Sequence, residues 1–208
     1  MVIQADEPWG EPFSAGPQQT LPDDASLAAA AFGRLDPDSG HGVTTRRSDL
    51  YLSVESGDVL RTVGLTANRD PADQWCYPFD IGLARLDGGD PIPFVAHLQA
   101  RRRRWSGMFL VAMNVSWSGE RYLGPKAHPN DGLLDITTGS LDVRQRLLAR
   151  PRTLTGTHIP HPNLKIVRRP HYEVEFDSLT PVYVDGQRSG SCRQLEVNIL
   201  PDAFGLVA

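Results

Sequence analysis

Residues 124–135 of the chain are Gly-Pro-Lys-Ala-His-Pro-Asn-Asp-Gly-Leu-Leu-Asp. An apolar stretch that ends at Asn114 comes before this segment, and a second apolar run, 133–138, follows its Asp131-Gly132 pair. An Asp-Gly pair between apolar runs is typical of a tight turn between two strands. The segment therefore predicts a strand, a loop, a turn at Asp131-Gly132 and a further strand.

A second Asp-Gly pair, Asp185-Gly186, follows the apolar run 181–184. From residue 79 onward every apolar run is short and is bounded by turn-forming residues. The predicted strands are 79–83, 92–98, 107–117, 133–138, 164–168, 172–176, 181–184, 195–200 and 204–207, with a short helix capped by Asp142. This pattern is typical of an antiparallel β-sandwich or barrel.

The first third of the chain has a different pattern. Asp23 or Asp24 is a suitable cap for a helix over 25–32, which ends near Gly33. A short strand is expected at 50–54, followed by a turn and one or two helical turns over 59–63. Strand, turn and helix in this order form half of an α/β unit. The predicted fold is α+β and mostly β, with a small, reduced α/β segment at 1–74 and a β-sandwich domain at 75–208.

The composition excludes several classes of protein. The chain has 40% hydrophobic and 22% charged residues and a formal net charge of −4. An acidic balance argues against a general nucleic-acid binder, and two cysteines are too few for a disulfide framework. No secretory leader and no apolar run of about 20 residues is visible, which predicts a cytoplasmic location. Contact with a membrane surface stays open, because Arg101 to Arg104 can meet phosphates or simply form a solvated loop.

Each aspartate of the two turns has a chemical and a plain interpretation. A carboxylate beside backbone carbonyls, as at Asp131, suits Mg²⁺ or Ca²⁺, and a carboxylate at a strand end, as at Asp185, suits a general base. Both pairs are equally explained as turns, which are the commoner case. His158 and His161 are close enough to share a metal, but Pro160 between them favours a structural loop.

Taken together, these motifs resemble the C-terminal β domain of the diacylglycerol kinase and sphingosine kinase family, which is distantly similar to NAD kinases. The resemblance rests on Asn114, the segment 124–135, Gly-Thr-His at 156–158, Val-Asp-Gly at 184–186 and the closing strand from Leu195. It implies ATP-dependent phosphoryl transfer to a lipid hydroxyl, at a site between a nucleotide-binding domain and this β domain.

The resemblance also implies roles for single residues. Asp131 matches the aspartate of the family's metal-binding turn, with the backbone carbonyls of His128 and Leu133 as neighbouring ligands of Mg²⁺. Asp185 matches the aspartate of the family's Asp-Gly-Glu motif and is the candidate base. The glutamate of that motif is Gln187 here, and a neutral amide cannot accept the proton of a substrate hydroxyl.

The nucleotide-binding motif departs further from the family. The family binds ATP with a Gly-Gly-Asp-Gly-Thr loop, whereas this chain offers Ser56, Gly57 and Asp58, followed by Val59. Glycines in such a loop let backbone amides approach the phosphates. With most of the glycines missing, the loop is expected to hold ATP poorly.

Three functions follow from this comparison. The preferred hypothesis is a lipid-kinase-like protein with a degenerate ATP site and weak or no kinase activity, which binds a lipid or a phosphorylated small molecule. The second is an active lipid kinase that uses ATP, Mg²⁺ at Asp131 and Asp185 as base. The third is a non-catalytic regulatory module. The sequence leaves homo-oligomerisation open.

Overall fold

The computed structural model describes residues 9–35, 50–64, 74–159 and 161–208. The helices of these residues are α1 (Asp24–Phe32), α2 (Asp58–Thr62) and α3 (Val143–Arg152), with a single 3-10 turn at Arg103–Trp105. The strands are β1 (Glu11–Pro12), β2 (Gln19–Leu21), β3 (Tyr51–Val54), β4 (Trp75–Leu86), β5 (Ile92–Phe94), β6 (His97–Ala100), β7 (Met108–Met113), β8 (Trp117–Ser118), β9 (Arg121–Tyr122), β10 (Leu134–Ser140), β11 (Leu164–Arg169), β12 (His171–Val184) and β13 (Gln187–Val207). No helix of the described residues is both long and apolar enough to cross a membrane.

Most of the described strands belong to one large sheet. Its main path is β1-β4-β13-β12-β6-β7-β10-β11, with β5 added to β4 and with β3 joining β13 to β2. Pairing is antiparallel except for β2 with β3 and β3 with β13. Strands β8 and β9 form a separate hairpin. The predicted fold class, α+β and mostly β, is confirmed.

The sheet folds over on itself to enclose a core. Ala84 of β4 and Ile136 of β10 are far apart in the strand order, yet both are fully buried in one apolar cluster. Strand β7 is buried on both faces, because Leu110 and Ala112 enter this cluster while Phe109 and Val111 enter another. This arrangement agrees with the predicted β-sandwich.

The small α/β segment is packed against the β-sandwich and shares its sheet. The Asp23 carboxylate accepts a hydrogen bond from the Ser26 amide at 2.8 Å and so caps α1 as expected. Leu27 of α1 and Leu52 of β3 are fully buried in the same cluster as Phe79 of β4. Because β3 also pairs with β13, both parts of the chain contribute to one sheet. The boundary between residues 74 and 75 stays a prediction.

Several strand predictions were wrong in their limits. The runs 172–176 and 181–184 belong to one strand, β12, and the strand expected at 107–117 ends at Met113. The single strand expected at 92–98 is split, since β5 pairs with β4 while β6 pairs with β7 and β12. The amides of Val95 and Ala96 bond a side chain, not a strand, which allows the chain to change its partners. The runs 195–200 and 204–207 belong to one strand, β13. It continues through an irregularity at Asp202, which has a φ of 52°.

Candidate functional site

The Asp185-Gly186 pair forms the turn between β12 and β13. Val184 pairs directly with Gln187, and the φ angles of Asp185 and Gly186 are 45° and 80°. Positive φ at both central residues defines the two-residue hairpin turn that Asp-Gly pairs favour. The interpretation of this motif as a hairpin turn is therefore confirmed. Any further role of Asp185 depends on the groups that its carboxylate contacts.

The Asp185 carboxylate is held by three backbone amides of the crossing between β5 and β6. It accepts hydrogen bonds from the amides of Val95, Ala96 and His97, each at 2.9 Å. Burial raises the pKa of Asp185, while the nearby His97 and the three amides favour its charged form. The Asp185 carboxylate thus holds the β12–β13 hairpin against residues 95–97, where the chain passes from β5 to β6.

His97 lies between this hairpin and the start of α2. Its Nε2 is 3.1 Å from Oδ2 of Asp58, and the Gly119 amide donates to the other oxygen of Asp58 at 2.8 Å. Burial alone would lower the pKa of His97, but the hydrogen bond to Asp58 and the charge of Asp185 raise it above its ordinary value. For Asp58, burial is likewise outweighed by His97 and Gly119, so its pKa is lowered. The hydrogen bond between the two side chains thus favours the charged form of each.

Asp24 completes this acidic cluster and was missed as a site residue in the sequence. Its Oδ2 accepts a hydrogen bond from the Asp58 amide at 2.7 Å. Gly57 makes the approach possible, because a Cβ at this position would lie 2.0 Å from Oδ1 of Asp24. Burial, together with the charges of Asp185 and Asp58, raises the pKa of Asp24 to about 7. In the sequence, an aspartate at the start of a helix indicates only a cap.

Asp58, His97 and Asp185 open onto a cleft of about 360 Å³. Its lining residues are Asp58, His97, Gln99, Arg101, Ser118, Gly119, Tyr183, Asp185 and Gly186. The fold thus brings together Asp58 and Asp185, which are far apart in the sequence. Gln187 is exposed and does not line this cleft, and Ser56 donates to the carbonyl of Pro22 at 2.9 Å.

A larger cavity of about 920 Å³ lies between α3 and the outer face of β7. Its apolar lining includes Trp105, Phe109, Val111, Leu123, Leu141, Leu147, Ala149 and Leu164, and its basic lining consists of Arg103, Arg104, Arg121, Arg146, Arg150 and His158. Arg101 connects the cavity with the cleft, because its guanidinium is 5.0 Å from the ring of Trp105 and 4.7 Å from the ring of Tyr183.

His158 and His161 differ in burial and in hydrogen bonding. His158 is buried, and burial lowers its pKa. His161 instead accepts a hydrogen bond from the amide of Asn163 through Nδ1, at 3.2 Å. Pro160 lies outside the described residues. The two histidines thus differ in their surroundings, and the interpretation as a structural loop stays a prediction.

The turn at Asp131-Gly132 precedes β10 and lies beside Asp80 of β4. Oδ1 of Asp131 accepts a hydrogen bond from the Leu133 amide at 2.9 Å, and Oδ2 pairs with the guanidinium of Arg168. The same guanidinium donates through Nε to Asp135 at 2.8 Å. Burial raises the pKa of both aspartates, and the charge of Arg168 acts against this. One arginine of β11 thus binds two carboxylates.

Asp80 of β4 holds this turn in place and was not identified in the sequence. Its carboxylate accepts hydrogen bonds from the amides of Gly132 and Asp202, each at 2.8 Å, and from the side chain of Asn130 at 3.3 Å. Burial raises the pKa of Asp80 to about 6. His128 packs edge-on against Trp9, with ring centroids 4.8 Å apart.

Residues 63–208 match the family model described as the YegS C-terminal NAD kinase beta sandwich-like domain. The chain belongs to this family. The match covers more than half of the chain, including the Asp185 hairpin, the Asp131 turn and the large cavity. The resemblance to lipid kinases that the sequence motifs indicated is therefore confirmed.

Solved structures show the same fold as this YegS-type domain. One is a candidate diacylglycerol kinase from Bacillus anthracis str. Sterne, with a TM-score of 0.57 and 13% identity, over 76% of this chain and 69% of that chain. A diacylglycerol kinase from the same organism has a TM-score of 0.54 and 14% identity, over 76% of this chain and 66% of that chain. No curated protein sequence is significantly similar to the chain. At these identities, the structural similarity supports the fold only.

The Asp131 turn of this YegS-type domain does not fit a Mg²⁺ ion as it stands. Both oxygens of Asp131 are engaged, and Arg168 already supplies a positive charge to Asp131 and Asp135. Within the described part of the chain, no group of three or more His, Cys, Asp or Glu side chains is arranged to hold a metal. A divalent cation at Asp131 would first have to displace the guanidinium.

Proposed function

We propose that this chain is a lipid-kinase-like protein with a reduced ATP site, which binds an anionic lipid through its β domain and transfers phosphate weakly or not at all. The observation that carries this proposal is the cavity of about 920 Å³ between α3 and β7. Small-molecule sites in proteins typically have volumes of about 300–1,000 Å³.

The lining of the cavity is suited to an amphiphile. Phe109 and Val111 at its floor are buried and belong to an apolar cluster, where they favour a hydrocarbon chain. The guanidinium groups of Arg121, Arg146 and Arg150 favour a phosphate or carboxylate headgroup. A single lipid with an anionic headgroup satisfies both parts of the lining.

The start of α2 is poorly suited to bind ATP. In nucleotide-binding loops, backbone amides at a helix start bind phosphate oxygens. Here the Asp58 amide already donates to the Asp24 carboxylate, and the Asp58 side chain adds a second negative charge. A phosphate group at this position would have to displace Asp24 from the Asp58 amide and would lie beside the Asp58 carboxylate, which is unfavourable. This arrangement supports the proposal of a degenerate nucleotide site.

An active lipid kinase is the second candidate, because Asp58, His97 and Asp185 line one cleft. In that case Asp185 would act as base and Mg²⁺ would accompany ATP. The three amides bound to the Asp185 carboxylate argue against this role, since they already engage both of its oxygens. A third candidate, a regulatory module, would bind neither lipid nor nucleotide.

Binding and turnover measured on the full chain separate the three candidates. We expect a fluorescent lysophosphatidic acid to bind, no tight binding of Mg-ATP by calorimetry, and little phosphate transfer to diacylglycerol in mixed micelles. Ala149→Phe places a larger side chain in the cavity and should weaken lipid binding by about tenfold or more, because the ring occupies the volume that the hydrocarbon chain of the lipid needs. Ala29→Phe, on the exposed side of α1, is the matched control.

Each alternative has its own outcome. Robust turnover that Asp185→Asn abolishes would identify an active kinase. Absence of any bound lipid or nucleotide would identify a regulatory module. Lipid binding that Ala149→Phe leaves unchanged would place the lipid outside the cavity and contradict the proposal.

A further inference from the structure

We propose that the outward side of α3 is a docking surface for an anionic lipid bilayer. This α3 surface consists of Val143, Arg144, Leu147, Leu148 and Arg152, together with Leu154 just beyond the helix. The inference goes beyond the proposed function, since it concerns where the protein binds and not which molecule enters the cavity.

The large apolar residues of α3 are exposed to solvent, and two of them, Val143 and Leu147, also line the large cavity. Val143, Leu147 and Leu148 are 64%, 66% and 56% exposed, whereas the half-buried residues of the same helix include Gln145 and Ala149. A surface helix of a globular protein normally has the opposite pattern, with its apolar stripe against the core. An apolar stripe that faces solvent marks an interaction surface.

Charge complementarity identifies the partner. Segments 101–106 and 141–158 contain eight arginines and one aspartate, a formal charge of +7, so the rest of the chain carries −11. Within the described residues, no arginine of α3 forms an ion pair with a carboxylate side chain. Leucines that enter the acyl region, flanked by arginines that reach the headgroups, are the features of a helix that lies in an anionic membrane surface.

The 3-10 turn at Arg103–Trp105 extends this surface. The guanidinium of Arg146 donates to the carbonyl of Arg104 at 2.7 Å, which fixes the turn beside α3. Arg103 and Arg104 are exposed. Both segments also border the large cavity, so a bilayer bound here would lie next to the cavity entrance.

A second copy of this chain is a poorer partner for the α3 surface. In a symmetric dimer the same patch meets itself, so the four arginines of α3 would face four identical arginines. Such like-charge contacts are unfavourable. An anionic bilayer supplies the opposite charge and also an apolar phase for the leucines.

Vesicle flotation with the full chain tests this proposal. We expect binding to phosphatidylcholine vesicles that contain phosphatidylglycerol to be at least about tenfold stronger than binding to phosphatidylcholine alone, and to weaken with salt. Equal binding to both vesicle types, or no binding to either, would overturn the proposal.

Two pairs of variants separate the parts of the surface, and none of their residues lines the cavity. Leu148→Ser with Leu154→Ser, and Arg144→Gln with Arg152→Gln, should each weaken binding by about tenfold. The matched controls are Leu179→Ser, at a leucine of β12 that is 60% exposed, and Arg188→Gln with Arg193→Gln on the β12–β13 hairpin.

The controls should bind vesicles as the unchanged chain does. Losses as large in the controls as in the α3 variants would overturn the proposal, and so would binding that does not depend on the leucines, which would indicate a general polyanion site. Ala149→Phe distinguishes the two proposals, since it should weaken lipid binding in the cavity while vesicle binding persists.

Discussion

At the scale of single residues, Arg168 determines whether the Asp131 turn can bind a metal ion. A guanidinium that binds two carboxylates supplies the positive charge that a metal ion would otherwise provide. The ion pair is partly exposed, with 38% of the Arg168 side chain accessible, so it contributes only about 1 kcal/mol to stability. Its main consequence is competition with Mg²⁺.

This competition predicts that Arg168→Gln makes the protein sensitive to Mg²⁺. The melting temperature of the unchanged chain should be the same in Mg²⁺ and in chelator, because Arg168 occupies Asp131 and Asp135. In Arg168→Gln the two carboxylates lose their guanidinium partner, and Mg²⁺ should raise the melting temperature by mass action. Arg169→Gln, at the exposed neighbouring residue, is the control. A Mg²⁺-dependent rise in the unchanged chain that Asp131→Asn removes would instead support a magnesium site at Asp131.

At the scale of secondary structure, the Asp185 hairpin fixes the crossing between β5 and β6. We expect Asp185→Ala to destabilise the fold by about 3 kcal/mol, because three buried amides lose their acceptor and alanine tolerates positive φ poorly. Asp185→Asn should cost less, about 1–2 kcal/mol, since asparagine keeps one acceptor oxygen and tolerates this φ. Urea unfolding measures both effects.

Gln187→Ala is the control for the hairpin, since Gln187 is exposed and should change stability by less than about 0.5 kcal/mol. If Asp185→Ala were as stable as the control, the amide cradle would contribute nothing to the fold.

At the scale of the whole molecule, the α/β segment and the β-sandwich depend on each other. Leu52 of β3 packs in one cluster with Phe79 of β4 and Phe204 of β13, and all three are buried. Strand β3 also pairs with β13 through Gly205 and Leu206. Loss of residues 1–74 would expose this apolar face and leave a strand edge unpaired.

We therefore expect the fragment 75–208 to lack a cooperative thermal transition and to bind a dye for exposed apolar surface, such as ANS. Thermal unfolding followed by near-ultraviolet circular dichroism tests this, with the full chain as reference. A fragment that melts cooperatively with native-like aromatic signals would establish the boundary at residue 75 as that of an independent domain.

The sequence by itself determined the features that depend on neighbouring residues. A cap of α1 at Asp23 or Asp24, a hairpin at Asp185-Gly186 and the strand-rich β-sandwich were predicted, because capping, turn type and strand alternation depend on residues a few positions apart. The motifs also indicated the family correctly. The roles of Asp131 and Asp185 in metal binding and catalysis stay predictions.

Contacts between side chains that are distant in the sequence were determined only by the tertiary structure. Asp185 bonds an amide 90 residues away, Arg168 reaches Asp131 across 37 residues, and Asp24 meets Asp58 because Gly57 has no side chain. These contacts depend on strand register and on the way the sheet folds over, neither of which is set by local backbone preferences. The same holds for α3, whose leucines are exposed because Gln145 and Ala149 face the protein. The packing of α3 against the protein thus determines which of its residues form the surface that we propose for bilayer binding.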